Sequence, residues 1–178
     1  IKFNNNGVRQ WCTYYGGSNG DEADDIQIGS TGDVYIVGRT ASPNFPLQNK
    51  AGAYNQTYAG GSFWGDAFVL QFNGAGVRQW GTCYGGSGDE QAYGITQDGA
   101  GSLFITGFTK STDFPVLNPG GAYYQTTYAG GTALGEGDAL DDLPSLANAD
   151  SLSKATAENK TAVANNIFEK RLFLLLII

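Results

Sequence analysis

Residues 67–84 read AFVLQFNGAGVRQWGTCY, which is two strand-like runs on either side of a turn. Ala67–Phe72 is apolar, Asn73–Gly76 is rich in glycine, and Val77–Tyr84 resumes the strand-like composition. A turn of this kind between two such runs favours an antiparallel β-hairpin. In the first run, apolar side chains occupy both odd and even positions, so a strand would carry them on both of its faces. We therefore expect this strand in a sheet that is covered on both faces.

The hairpin belongs to a sequence that occurs twice, with matching positions 68–70 residues apart. Gly7–Trp11 recurs as Gly76–Trp80, and Tyr15–Ser18 recurs as Tyr84–Ser87. The other matches, in the same order, are Gly20–Glu22 with Gly88–Glu90, Phe45–Pro46 with Phe114–Pro115, Ala53–Tyr54 with Ala122–Tyr123, and Tyr58–Gly61 with Tyr128–Gly131. Repeats of this length indicate units that bury little surface alone and more when they stack.

Each repeat is predicted to contain four short antiparallel strands. In the more complete copy they are Ala67–Phe72, Val77–Tyr84, Gln91–Thr96 and Ser102–Phe108. Four-stranded antiparallel sheets that cover one another are typical of β-propeller blades, and closed propellers have about four to eight of them. We therefore expect an all-β fold in which residues 1–140 form two propeller-type repeats of about 69 residues, an incomplete ring.

The composition changes at Asp141, where Leu and Ala replace the glycines and aromatics, so residues 141–178 are predicted to be a non-repeat tail. Asp150 or Ser151 is a suitable N-cap, which predicts a helix over residues 151–172 followed by an apolar end. The end itself, Leu172–Ile178, is equally compatible with a strand, because periodicity cannot decide a run of seven apolar residues.

The ordered motifs of this chain resemble the bacterial β-propeller repeat often called SBBP. In the second copy they are Tyr84–Ser87, Gly88–Glu90, Ile105–Thr109 and Ser111–Pro115, followed by Gly121–Tyr123 and Thr127–Gly131. The resemblance covers about residues 3–140 and implies propeller blades with a scaffold or adhesion role in secreted or cell-surface bacterial proteins. It supplies no catalytic residue. The resemblance ends at Asp141–Pro144, which replace the Val-Leu-Gln-Phe run of the first copy.

Composition and charge exclude several classes of function. The chain has 178 residues, no His and a formal charge of −7 at pH 7. Histidine-based catalysis and histidine metal ligation are therefore absent from this sequence. We expect no nucleic-acid binding, because no basic surface is available for phosphates. We expect no membrane span, because the longest apolar run is far below the roughly 20 residues a spanning helix needs.

Acidic residues after the Gly-rich turns are the first candidate site. The set consists of Asp21, Glu22, Asp24, Asp25, Asp89 and Glu90. Carboxylate oxygens are ligands that suit Ca²⁺, so calcium is the one cofactor the sequence suggests. The spacing is not that of an EF-hand loop, and turn capping together with solubility is the simpler explanation of the same residues.

Aromatic residues are the second candidate site. Trp11 and Trp80 occupy matching positions, Tyr15 and Tyr84 follow them, and Trp64 lies in a connecting loop. Flat aromatic faces beside polar groups suit stacking on sugar rings, whereas aromatics in a blade more often form its core. The two cysteines, Cys12 and Cys83, are too far apart in sequence to form a redox or zinc motif, and their pairing stays open.

Taken together, these patterns predict a non-enzymatic structural or interaction module of a secreted or surface-exposed bacterial protein. Its partners are expected to be other proteins or copies of itself. The alternative is a lectin-like module that binds glycans and completes a propeller by oligomerisation. An enzyme is not expected, because no pair of carboxylates is distinguished by its position.

Overall fold

The computed structural model describes residues 1–118, 120–121, 124–128 and 174–177. These residues contain nine β-strands and no helix, and every strand pair is antiparallel. The strands are β1 Lys2–Phe3, β2 Arg9–Trp11, β3 Asp21–Ile28, β4 Val34–Thr40, β5 Asp66–Phe72, β6 Arg78–Tyr84, β7 Glu90–Gln97, β8 Leu103–Thr109 and β9 Leu174–Ile177. The all-β, antiparallel prediction is thus confirmed for the described part of the chain.

The strands form three sheets. The first sheet contains β3, β4, β5 and β6 in that order, the second contains β7, β8 and β9, and β1 pairs with β2 alone. The predicted strands were correct, but their predicted grouping was wrong, because β5 and β6 belong to one sheet and β7 and β8 to the next. The long connection between β4 and β5 returns to the same sheet, where Val34 pairs with Phe72 and Thr40 with Asp66. Pairing across such a distance leaves no local signal in the sequence.

Three of the four hairpin turns share one construction, of which the β5–β6 turn is the example; the β3–β4 turn begins at Gly29, which has no side-chain acceptor. Asn73 accepts hydrogen bonds on its side-chain oxygen from the backbone N–H groups of Ala75 and Val77. Gly76 completes the turn with a φ of 85°, a conformation that glycine adopts without a steric penalty. The local pattern of a side-chain acceptor followed three residues later by glycine is therefore sufficient to predict these hairpins.

A β-bulge occurs at the same place in β3 and in β7. The register shifts between Ala23 and Asp25 in the first sheet, and between Ala92 and Gly94 in the second. The opposing glycine of the first sheet, Gly38, is required there, because a Cβ would stand 2.0 Å from a backbone oxygen. The two bulges fix a constant offset of 69 residues between the copies, so β3 corresponds to β7 and β4 to β8.

The first sheet has apolar side chains on both faces, as the sequence predicted. One face packs against the second sheet, and that cluster consists of Tyr35, Val37, Val69 and Trp80 with Ala92, Ile95, Leu103 and Ile105. The opposite face carries a second cluster, which consists of Val34, Phe45, Phe68, Leu70, Phe72 and Cys83. Burial of each large apolar side chain contributes roughly 1.5–3 kcal/mol, so these two clusters are the main source of stability.

The predicted tail lies mostly outside the described residues. The helix predicted over residues 151–172 falls there entirely. The apolar end adopts the strand alternative over Leu174–Ile177, which pairs with β8 from Phe104 to Gly107. Within the second sheet, β9 therefore takes the edge of β8 that corresponds to the edge of β4 bound by β5.

Candidate functional site

Each copy contains one carboxylate that ties a Gly-Gly loop to the end of a strand. Glu90 accepts hydrogen bonds from the Gly86 N–H at 2.9 Å and from the hydroxyls of Thr109 and Ser111. Asp21 does the same in the first copy, accepting from the Gly17 N–H at 2.7 Å and from the hydroxyls of Thr40 and Ser42. The structural counterpart of Asp21 is thus Glu90, whereas the sequence motifs paired it with Asp89.

Asp89 holds the loop before β5. One of its oxygens accepts hydrogen bonds from the N–H groups of Phe63, Trp64 and Gly65 at 2.9–3.2 Å. Burial acts to raise the pKa of Asp89, but these three hydrogen bonds and the nearby Lys110 charge outweigh it, and the pKa is lowered. The carboxylate is therefore held in its charged form by the loop that it organises.

Asp24 and Asp25 connect the first sheet to the second. Asp24 accepts from the side-chain amide of Gln91 with both oxygens, at 2.9 and 3.1 Å. Asp25 accepts from the backbone N–H of Ile95 at 2.9 Å. The β3 bulge places these two side chains toward β7, so their role in this structure is to position the second sheet.

The acidic residues do not converge on one point. Glu22 is engaged in a surface ion pair with Arg39 at 2.8 Å, and the other five accept the hydrogen bonds described above. Within residues 1–128, as far as the structure describes them, no three acidic or Cys side chains are placed to share one metal ion. The calcium site stays a prediction, with no geometric basis among the described residues.

Most of the candidate sugar-stacking residues are packed in the interior. Trp80 is 4% exposed and donates its indole N–H to the Tyr54 carbonyl at 3.0 Å. Tyr84 is also buried, which raises the pKa of its hydroxyl to about 12. Tyr15 packs edge-on against Phe45 and its hydroxyl accepts from Arg78. The core alternative accounts for Trp80 and Tyr84, whereas Tyr15 is half-buried and lines the cleft described below.

Trp64 belongs to a surface group, here called the aromatic patch, in which Phe63 and Tyr93 are exposed and Trp64 and Phe108 are half-buried. Phe63 is 77% exposed and stands edge-on to Trp64, with ring centroids 6.1 Å apart. Trp64 is likewise edge-on to Phe108 at 5.5 Å, and the Lys110 ammonium lies 4.6 Å from the Trp64 ring centroid. The sequence identified Trp64 alone, because Tyr93 and Phe108 come from two other segments and only Phe63 adjoins it in sequence.

The described residues form an apolar cleft of about 630 Å³, here called the open cleft. It lies on the face of the first sheet opposite the second sheet, and Trp11 lines it from the β1–β2 hairpin. Ile26 lines it too and is 59% exposed. The indole N–H of Trp11 is buried without a hydrogen-bond partner, which is uncommon for a buried donor. The sequence named Trp11 but did not indicate that this face is uncovered.

One buried carboxyl was missed by the sequence reading. Asp66 begins β5, is fully buried, and accepts a hydrogen bond from the Ala59 N–H at 2.6 Å. Its other oxygen has no partner. Burial raises the pKa of Asp66 to about 7, with the charge of Glu90 adding to the effect.

The two cysteines are not paired with each other. Cys12 is exposed, whereas Cys83 is buried in the core of the first sheet. Burial raises the pKa of the Cys83 thiol to about 12. A thiol of this kind is inert at neutral pH, because the reactive form is the thiolate.

Comparison with known proteins adds no family to this description. No protein-family profile matches the chain, and no curated protein sequence is significantly similar to it. In the part of the chain that the structure describes, no helix has the length and apolar character needed to cross a bilayer.

Proposed function

We propose that this chain is a non-enzymatic structural or interaction module, built from propeller-type repeats, that associates with protein partners or with copies of itself. The observation on which this proposal depends is the open cleft. A face with apolar residues such as Ile26 and Ile28 more than half exposed is unusual for an isolated domain and marks a contact surface.

The sheet arrangement supports the propeller-type part of the proposal. The first sheet is a four-stranded antiparallel meander, and the second sheet packs on its face through apolar residues of both. Propeller blades stack in this way. A low charged fraction of 15%, with glycine and polar residues in its place, suits the expected secreted or surface location in bacteria.

The roles of the acidic residues support a non-enzymatic function. Glu90 and Asp66 are fully buried, and Asp89 is engaged by three backbone N–H groups. General acid–base chemistry needs a carboxyl that a substrate can reach. These carboxyls hold loops and sheets together instead.

Light scattering coupled to size-exclusion chromatography tests the proposal directly. We expect a mass above the 18.8 kDa of one chain that grows with protein concentration. Val77→Asp serves as a control, because Val77 is 56% exposed and lies away from the open cleft, so this variant should associate like the wild type. A constant mass of one chain at every concentration contradicts self-assembly.

A second candidate function, glycan binding, is favoured by the aromatic patch. Phe63 and Trp64 offer exposed ring surface next to the Lys110 ammonium, a combination that suits a polar, ring-shaped ligand. A glycan array probed with the wild type and with Trp64→Ala tests it. Binding by the wild type that is lost in the variant supports the lectin function, and an empty array removes it.

A further inference from the structure

The two sheets of this chain pack against each other, and the repeat predicts a second contact of the same kind. On the first sheet the contact surface consists of Tyr35, Val37, Val69 and Trp80. On the second sheet it consists of Ala92, Ile95, Leu103 and Ile105. Both sets alternate along their strands, so each strand also has an opposite face that takes no part in this contact.

The open cleft contains the counterparts of the second set. At the offset of 69 residues, Ala92 corresponds to Ala23, Ile95 to Ile26, Leu103 to Val34 and Ile105 to Ile36. All four side chains line the open cleft. Ile95 is 8% exposed whereas Ile26 is 59% exposed, so the β3 side of this surface is uncovered where its β7 counterpart is covered; Val34, at 6%, is already buried within the chain.

The counterparts of the first set are at the two ends of the repeat region. Trp80 corresponds to Trp11, which already lines the open cleft. Tyr35 and Val37 correspond to Phe104 and Thr106. These two residues alternate in β8 with the buried Leu103 and Ile105, so they lie on the face of the second sheet that points away from the first.

We propose that the open cleft of one copy of this chain receives the outer face of β7 and β8 from a second copy. Phe104 and Thr106 of the second copy would then cover Ile26 and Ile36, as Tyr35 and Val37 cover Ile95 and Ile105 within the chain. This inference rests on the proposed self-association and adds the surfaces that carry it. The contact is head-to-tail, so it generates either a closed ring or a filament.

The edges of the sheets agree with this partner. Phe3 in β1 corresponds to Phe72 in β5, which pairs with Val34 of β4. In the associated state β1 would replace β9 on the edge of β8 of the second copy, so that β7, β8, β1 and β2 make one four-stranded sheet from two chains. A small apolar ligand in the open cleft would leave the exposed edge of β1 without a strand to pair with.

The unpartnered indole N–H of Trp11 also agrees with a second copy. In the complete sheet the counterpart, Trp80, donates to the carbonyl of Tyr54. Among the described residues, the buried indole N–H of Trp11 thus lacks the kind of acceptor that its counterpart has, and a neighbouring sheet would supply one.

The association is expected to be weaker than the contact inside the chain. Asp25 anchors the second sheet through the N–H of Ile95, but its counterpart is Gly94, which has no carboxylate. The oligomer should therefore dissociate on dilution while the two sheets of each chain stay together.

Two surface variants and their mixture test the proposal. Ile26→Asp blocks the open cleft and leaves the outer face of β8 intact, whereas Thr106→Asp does the reverse. Both positions are exposed, and thermal melting checks that each variant folds. We expect each variant alone to have the mass of one chain, and an equimolar mixture to form a dimer that does not grow further.

The outcomes separate this inference from the function on which it rests. A wild type that associates while both variants associate equally well, or a mixture of the two variants that stays monomeric, overturns the head-to-tail contact but leaves self-association standing. A wild type that stays monomeric at the highest concentration reached overturns both.

Discussion

Ile26 and Ile95 occupy the same position in two copies of one repeat, yet one is exposed and the other is buried. Their strands have the same register, the same bulge and the same opposing glycine position. What differs is the neighbouring sheet. The first sheet packs against Ile95, whereas no described part of this chain covers Ile26. An apolar residue at a repeated position therefore indicates that this face of the sheet is suited to burial. Whether the residue is buried depends on a neighbouring sheet.

Shortening the side chains of these two isoleucines should give the largest difference in unfolding free energy between matched positions. Ile95→Ala leaves a cavity between two sheets and should lower the free energy of unfolding by about 3 kcal/mol. Ile26→Ala should change it by less than about 0.5 kcal/mol, since the side chain is largely in water. Urea unfolding at a concentration where the protein is monomeric measures both. Equal losses of unfolding free energy in the two variants would contradict the difference in burial between Ile95 and Ile26.

The loop carboxylates provide the next matched pair. Glu90→Ala leaves the buried donors of Gly86, Thr109 and Ser111 without an acceptor, and we expect a loss of about 2–3 kcal/mol in unfolding free energy. Asp21→Ala should cost about 1 kcal/mol, because Asp21 and the Gly17 N–H are nearer to water than Glu90 and the Gly86 N–H. Glu22→Ala is the control, with a loss below about 0.5 kcal/mol for an exposed ion pair. A larger loss at Asp21 than at Glu90 would contradict the ranking.

The buried carboxyl of Asp66 should make the free energy of unfolding depend on pH. Its pKa is about 7 in the folded protein against 3.8 ordinarily, so its contribution to stability is complete below about pH 4 and lost as the pH rises through 7. Asp66→Asn should remove this trend, and the wild type should lose on the order of 2 kcal/mol relative to the variant across this range.

The exposed turn of the second sheet supplies the control for this measurement. Hydrogen bonds from the Ser102 backbone and its neighbours lower the pKa of Asp98, so its contribution is lost as the pH falls instead. Asp98→Asn should therefore leave the slope of stability against pH unchanged between about pH 4 and 7, and reduce the loss of stability only below about pH 4. Parallel slopes for the wild type and Asp66→Asn would show that Asp66 does not titrate in this range.

Removal of β9 should have the smallest effect. β9 pairs with the edge of β8 that β1 of a second copy would take, so a variant that ends at residue 173 should associate more tightly, by less than about tenfold in dissociation constant. Sedimentation of the wild type and the shortened chain measures this change. Weaker association after the removal would show that β9 belongs to the contact and does not compete with it.

Local patterns predicted the parts of this fold that depend on local interactions. The apolar run Ala67–Phe72 and the turn Asn73–Gly76 were sufficient to predict β5, β6 and the hairpin between them, because the turn is closed by its own side chain and glycine. Two positions show where such patterns end. The run of acids at Asp24 and Asp25 suggested calcium, but a bulge directs both side chains to the neighbouring sheet.

By itself, the sequence determined the strands, their hairpins, the repeat offset and the requirement for cover on both faces of the first sheet. Only the tertiary structure decided which strands share a sheet, which copy of each apolar face is covered, and that Asp66 is buried next to Glu90. The physical reason is that turns and alternation depend on residues a few positions apart, whereas burial depends on segments that meet across tens of residues. Ile26 is the clearest case, since its counterpart Ile95 is buried and the two differ in whether a sheet packs against them.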